Sequence, residues 1–272
     1  MKLQDANPRQ QSVTPGGARR PAEPVHSPLV RKFSHLVELS NQEIAWLEGL
    51  HGDRRLIPAG MEILAEGDRF TETLVVNGGW AIRYQALPDG RRQIVNFFLA
   101  GDIIGPFASV IEASEHAVAA ITDLEVSVFR PQRILKLFAE APRLGALYGW
   151  SAGRDEAIVA EQVVRLGRRS AFERTGHLLL EILRRLQMVG LAGERTFRMP
   201  LTQEILADTL GLSAVHMSRT LRRLRAARLV ELADRRVTIP DVPRLQRITD
   251  FSTLYLEQHR LPPKTEQELR RL

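Results

Sequence analysis

Two kinds of periodicity divide this chain, and they occur in a fixed order. From Arg54 to Arg130, short runs of β-branched and aromatic residues are separated by recurrent glycines. From Pro131 onward, the apolar residues instead recur every three or four positions. Regularly spaced short strands predict an antiparallel sandwich, barrel or jelly roll, and the later spacing predicts helices. Because the strands come first and the helices last, the predicted fold class is α+β rather than alternating α/β.

Residues 149–153 read GWSAG, which fits the G-x-S-x-G motif around the nucleophile of serine hydrolases. That motif requires a buried strand just before the serine, but residues 141–148 contain no β-branched residue and have helical spacing. A serine esterase that uses Ser151 is therefore kept as an alternative only. We expect the small residues here to lie on one long helix, where they would let a partner helix approach closely. The inner face of that helix is predicted to carry Leu144, Leu147, Tyr148, Ser151, Ile158, Val159, Gln162, Val163 and Leu166.

The composition excludes several classes of site. The 272 residues include no cysteine, which excludes disulfides, cysteine-ligated iron–sulfur clusters and thiolate zinc sites. No run of apolar residues is long enough for a transmembrane helix, and the N-terminus lacks the apolar core of a secretory signal. We therefore expect a cytoplasmic protein without a membrane partner. Residues 1–28 contain five prolines and few large apolar groups, which is typical of a disordered arm.

Positive charge is concentrated in one part of the chain. Residues 165–240 contain 15 arginines and seven acidic residues, an excess of eight, whereas the whole chain carries only +6. The remainder is therefore slightly acidic. This distribution is expected if only the segment 165–240 contacts a polyanion, although a solvated basic surface would have the same composition.

The most informative stretch is LTQEILADTLGLSAVHMSRTLRRL at residues 201–224. It predicts a helix over 203–210, a turn at Gly211 where positive φ is needed, and a second helix that begins at Ser213. Ala207 falls where two helices would cross. Met217, Leu221 and Leu224 share the inner face of the second helix, and its outer face carries arginines. These features favour a DNA-binding helix-turn-helix over an ordinary helical hairpin.

A basic hairpin is predicted directly after this stretch. Residues 229–232 and 237–239 read as two short strands, with Arg235 and Arg236 in the turn between them. A hairpin in this position would be a wing that reaches the phosphates beside the groove.

Taken together, this order of parts resembles the Crp/Fnr family of bacterial transcription regulators. The resemblance covers residues 30–240, and its most specific motifs are GDIIG at 101–105, the run that starts at Gly167 and the helix-turn-helix. It implies a homodimer joined through the long helix that reads palindromic double-stranded DNA, without enzymatic activity. RNA polymerase is a further expected partner if the protein activates transcription. The expected segments are a disordered arm (1–28), a jelly-roll-like, cyclic-nucleotide-binding-like β-roll sensor domain (29–140), a dimerisation helix (141–168), a winged helix-turn-helix (169–240) and a C-terminal extension (241–272).

The resemblance also places candidate DNA contacts. Arg219 matches the arginine with which family members read a base, and a guanidinium can donate two hydrogen bonds to the O6 and N7 atoms of guanine. Ala214 and Val215 fall on the other base-reading positions, where apolar side chains could only contact a thymine methyl or exclude other bases. Thr202 and Ser213 are placed to contact phosphates. The remaining candidates are Ser218, Arg222, Arg235 and Arg236.

The expected effector site departs from the cyclic-nucleotide-binding branch. In that branch a glutamate follows the GDxxG segment and an arginine pairs with the cyclic phosphate, but this chain has Pro106 and His116 there. The candidate effector-binding residues are Gly105, Phe107 and His116, and cAMP is not the expected ligand. His116 could be a weak ligand contact, a haem ligand or a surface residue, and the effector stays unknown. A cyclic-nucleotide-binding module without DNA binding is the remaining alternative.

Overall fold

The computed structural model describes residues 26–108, 110–257 and 262–271, so almost all of the predicted arm lies outside the described residues. Two helices come first, α1 (Pro28–Ser34) and α2 (Asn41–Glu48), and a short 3-10 turn follows at Gly49–His51. The recurrence of Leu36, Leu39, Ile44, Leu47 and Leu50 predicts a single amphipathic helix from Ser34 to Leu50, and this prediction is wrong. Ser40 interrupts it, because its hydroxyl accepts a hydrogen bond from the Glu43 amide while the Glu43 carboxylate accepts one from the Ser40 amide. This reciprocal cap fixes a new helix start.

Eight strands form two four-stranded antiparallel sheets with the strand orders β1-β8-β3-β6 and β2-β7-β4-β5. One core lies between them and includes Leu74, Val126 and Phe98, which confirms the predicted jelly-roll-like domain. The residues Pro88-Asp89-Gly90 predict a turn, because proline presets φ and glycine accepts positive φ. This turn joins β4 to β5, and Gly90 has a φ of +83°. The strands are β1 (Asp53–Ile57), β2 (Glu62–Leu64), β3 (Thr73–Gly78), β4 (Ala81–Ala86), β5 (Arg92–Phe98), β6 (Ile103–Ile104), β7 (Ala117–Ala120) and β8 (Leu124–Phe129).

A short helix, α3 (Gln132–Glu140), leads into the long helix α4 (Pro142–Arg168). Most of the predicted inner face of α4 is buried, but Val163 was placed wrongly, since it is 67% exposed. Arg165 occupies the inner face instead and is only 1% exposed.

Ser151 lies in the middle of α4, so the strand that a nucleophile elbow requires is not there. Its side chain is buried, and its hydroxyl accepts a hydrogen bond from the Lys32 ammonium at 3.2 Å. The esterase alternative is therefore wrong on geometry.

The C-terminal half is helical with one small sheet of order β10-β11-β9. The C-terminal stretch is expected to form a helix from Val242 to Tyr255, but the helix ends at Thr249, because Asp250 adopts the left-handed conformation with a φ of +49°. The terminal position of the residues after Pro262 predicts a mobile tail, but this segment contains a helix in which Glu266 pairs with Arg143 of α4 at 2.9 Å. The elements are α5 (Ala171–Met188), β9 (Thr196–Arg198), α6 (Gln203–Leu210), α7 (Ala214–Ala226), β10 (Glu231–Ala233), β11 (Arg236–Thr238), α8 (Val242–Thr249) and α9 (Pro263–Leu269).

The two halves share one hydrophobic core. Ile94 and Phe97 of β5 lie in the same buried cluster as Leu179 and Ile182 of α5 and the inner residues of α6 and α7. The contact is also polar. The Arg92 guanidinium lies 2.8 Å from the Asp208 carboxylate, and the Gln93 amide donates to the Thr209 carbonyl at 3.1 Å.

A buried carboxylate, Asp102 in the GDIIG segment, connects three parts of the chain. Its Oδ1 atom accepts from Lys32 of α1 at 2.8 Å, and its Oδ2 atom accepts from Arg185 of α5 at 2.7 Å and from the Leu99 amide at 2.8 Å. The two cations hold the pKa of Asp102 below its usual value despite burial, which by itself would raise that pKa.

Candidate nucleic-acid interface and β-roll cavity

The turn between α6 and α7 has the geometry that the sequence predicted. Gly211 adopts the left-handed conformation with a φ of +63°, and its amide donates to the Ala207 carbonyl. Ala207 is 3% exposed, which lets the two helices approach closely. Thr202 and Ser213 cap α6 and α7, because their hydroxyls accept hydrogen bonds from the Ile205 and His216 amides at 3.2 Å each. Both hydroxyls are exposed and keep a proton to donate to a phosphate.

The second helix, α7, has one buried and one exposed face. Met217, Leu221 and Leu224 are at most 2% exposed and anchor the helix in the core. Within the described part of the chain, no hydrogen bond or ion pair engages the exposed guanidinium groups of Arg219 and Arg222. They are therefore available to an external acceptor. Ala214 and Val215 are exposed beside them, whereas Ser218 is half-buried.

A wing follows α7, with boundaries that differ from the expected ones. Asp234 and Arg235 both have positive φ, +52° and +57°, which is the conformation of a two-residue type I′ turn. This turn closes the hairpin at the pair Ala233 and Arg236, so Arg236 is the first residue of β11 rather than part of the turn. Both arginines are exposed.

A cavity of about 360 Å³ lies between the β-roll and α4. The three predicted effector residues Gly105, Phe107 and His116 all line it. Gly105 has a φ of +70°, and a Cβ atom there would lie 3.2 Å from the Phe70 ring. His116 is half-buried rather than on the open surface, and burial, followed by the charge of Arg83, lowers its pKa.

Sequence reasoning missed four charged residues of this cavity: Arg83 of β4, Asp155 and Glu156 of α4, and Glu115. Burial raises the pKa of Asp155 to about 6. The signal for Arg83 was a single basic residue among the apolar residues of WAIRYQAL. Asp155 had no comparable signal, because it looks like an ordinary polar position of a helix.

The exposed face of α4 carries a regular stripe of mostly small residues. Its members are separated by alternating steps of four and three positions, as in the contact seam of paired helices. A Cβ atom added to any of its three glycines would meet no other atom of the described chain within 4 Å. The chain's own packing therefore does not require glycine there. The stripe consists of Gly149, Gly153, Glu156, Ala160, Val163 and Gly167.

A β-roll with a cavity, a long helix and a winged helix-turn-helix with free arginines together define a DNA-binding transcription regulator. Family models agree, since the cyclic nucleotide-binding domain matches residues 54–141 and the Crp-like helix-turn-helix domain matches residues 173–248. The chain belongs to the Crp/Fnr family of transcriptional regulators. Among the described residues, no helix is both long and apolar enough to cross a membrane.

Individual relatives support the same assignment. A probable transcriptional activator of Rhizobium leguminosarum bv. viciae is 32% identical over 200 residues, which cover 73% of this chain and 82% of that protein. The transcriptional activator protein FnrL of Cereibacter sphaeroides is 30% identical over 231 residues, covering 84% and 89% respectively. The structure of FixK2 from Bradyrhizobium japonicum superposes with a TM-score of 0.65 at 25% identity, covering 71% of this chain and 95% of that one.

Proposed function

We propose that this protein regulates transcription as a homodimer on an inverted repeat, and that it has no catalytic role. The observation that supports a dimer is the stripe on α4. Each glycine inside a helix costs about 1 kcal/mol relative to alanine. Three of them at seam positions, with no use in the chain's own packing, are explained by a second copy of α4 that approaches closely.

In the proposed dimer, the two copies of α7 enter successive major grooves about 34 Å apart. The selection of bound duplexes from a random DNA library tests this arrangement. We expect an inverted repeat whose half-sites are one helical turn apart. A consensus without two-fold symmetry would contradict the dimeric mode of binding.

Arg219 is proposed to read a guanine, because its free guanidinium lies on the exposed face of α7 near the helix start. Replacing it with alanine is expected to cost about 1–3 kcal/mol of binding free energy and to relax specificity at one base position. Fluorescence anisotropy with the selected duplex and its single-base variants measures both effects. Arg130→Ala, at an exposed position on the β-roll, is the matched control. Wild-type affinity and specificity in the Arg219 variant would refute this role.

Arg235 is proposed to contact a phosphate, because it lies at the tip of the wing and is exposed. Arg235→Ala is expected to weaken binding to all duplexes by a similar factor and to reduce the salt slope by about one counterion. The measurement is the affinity for specific and scrambled DNA over a series of salt concentrations. A loss confined to the specific duplex would instead assign Arg235 to base recognition.

The β-roll cavity is proposed to hold a small effector. Ala152, Asp155 and Val159 of α4 line the cavity next to the stripe, and Glu156 belongs to both surfaces. A ligand would therefore contact the element that joins the dimer and change how its two copies pack. If the protein activates transcription as its named relatives do, RNA polymerase is its further partner, and the cytoplasm is its location.

A further inference from the structure

Arg83 carries a buried polar group that is unsatisfied. It projects from β4 into the cavity, and its Nε atom is buried without a hydrogen-bond partner in the described chain. No carboxylate of the described residues lies within ion-pair distance of its guanidinium. Burial lowers the pKa of Arg83, and the more distant charge of Asp155 opposes this effect only in part. Burying a guanidinium N–H group without a hydrogen-bond acceptor costs free energy, and an anionic ligand that accepts from it would offset that cost.

The surroundings of Arg83 are apolar. The cavity volume is within the range of small-molecule sites, and most of the wall consists of aliphatic and aromatic side chains. Phe107 and Ile111 are 45% and 46% exposed and also line the cavity, so a ligand can cover their apolar surface. The inner wall includes Leu64, Phe70, Phe98, Ile103, Ile104 and Val118.

The acidic groups limit the charge of the ligand. Glu115 and Glu156 line the cavity and both are exposed in the single chain, and Glu156 is also a member of the stripe on α4. They disfavour a ligand with several negative charges. Asp155 lies deeper, and the pKa of about 6 that burial gives it allows a neutral form that donates a hydrogen bond. The described residues thus offer one unpaired cation to an anion, inside an apolar wall.

We propose that the cavity binds an apolar molecule with a single carboxylate, whose oxygens accept hydrogen bonds from the Arg83 guanidinium. The proposal rests on the proposed function, in which this cavity is the effector site. Ala152 and Val159 of α4 would contact the apolar part of the ligand. Arg83 of β4 would bind the carboxylate, and α4 would contact the rest of the molecule.

Isothermal titration calorimetry of the full chain tests this proposal with octanoate and 3-phenylpropionate, an aliphatic and an aromatic monocarboxylate. Octan-1-ol is the uncharged comparison and cAMP the phosphodiester comparison. We expect at least one carboxylate to bind, and the alcohol and cAMP to bind about tenfold more weakly or not at all. Arg83→Gln should weaken carboxylate binding about tenfold, and Arg83→Lys, which keeps the charge, should restore part of it. Arg54→Gln, at an exposed arginine of the same domain, should leave binding unchanged.

Three results would overturn the proposal: no heat with either carboxylate, equal binding of octanoate and octan-1-ol, or carboxylate affinity unchanged by Arg83→Gln. Thermal unfolding of each variant shows whether it is folded. If Arg83→Gln does not fold, the carboxylate affinity of Arg83→Lys provides the second measurement. DNA binding of the same samples is measured in parallel. If the wild type binds specific DNA but no carboxylate, the proposed ligand class is rejected and the proposed function stands. If the wild type does not distinguish specific from scrambled DNA, the proposed function is rejected.

Discussion

Replacing Ala160 with glutamate is expected to convert the dimer into a monomer and to lower the affinity for palindromic DNA by about 100-fold or more. Ala160 is exposed at the centre of the stripe on α4. A second copy of α4 would add two glutamates to a closely packed seam that already contains the two copies of Glu156, and the added desolvation and repulsion are costly. Each half-site would then be bound by one chain, without the gain that comes from linking two binding events.

Sedimentation velocity gives the mass of the variant, and gel-shift titration on the selected repeat gives its affinity. Ala139→Glu, the same substitution at an exposed position of α3, is the matched control and should remain wild-type in both assays. An Ala160 variant that is still dimeric would place the dimer contact elsewhere on the chain.

Replacing Asp102 with asparagine is expected to lower the free energy of unfolding by about 3–5 kcal/mol. The carboxylate is the common partner of the Lys32 and Arg185 side chains, which are both 8% exposed. An amide of the same shape removes the negative charge. Among the described residues this leaves Lys32 without an ion-pair partner and Arg185 with Glu181 alone, at 3.8 Å. Urea unfolding measures the loss, and Asp53→Asn, at an exposed position of β1, should change stability by less than about 0.5 kcal/mol.

The same substitution has a defined pH dependence. Because the pKa of Asp102 is lowered in the folded state, its contribution is complete above the ordinary value of 3.8 and is lost as the pH falls below that value. The difference in stability between wild type and variant should therefore shrink in acid. A difference that stays constant from pH 7 to pH 3 would show that Asp102 acts through shape and not through charge.

Local signals account for what the sequence predicted well. The bounds of α6, the turn at Gly211 and the start of α7 at Ser213 each depend on a few neighbouring residues, so they could be predicted directly. Val163 was misplaced because its side chain is apolar, whereas the polar neighbours Gln162 and Arg165 occupy the inner face. The break before α2 did have a local signal, the Ser40 and Glu43 pair of a capping box, which apolar spacing alone does not reveal.

Long-range contacts were beyond sequence reasoning. Asp102 lies 70 residues from Lys32 and 83 from Arg185, and only the packed structure shows that the three side chains meet. The same holds for Arg83, whose importance depends on the absence of a counter-ion within the described residues. The family resemblance pointed to Gly105, Phe107 and His116, and all three line the cavity, but it left the role of His116 open and did not point to Arg83.

The shared core around β5 limits how far this protein can be treated as two exchangeable modules. Phe98 lines the β-roll cavity, while its neighbour Phe97 packs in the cluster that contains the helix-turn-helix. A chimera that joins residues 169–250 to another sensor domain would expose the surface of α5 that now packs on β5. Its designer would have to transplant β5 as well, or rebuild that surface with polar residues. Evolution faces the same restriction, so the two halves of this chain are expected to diverge together.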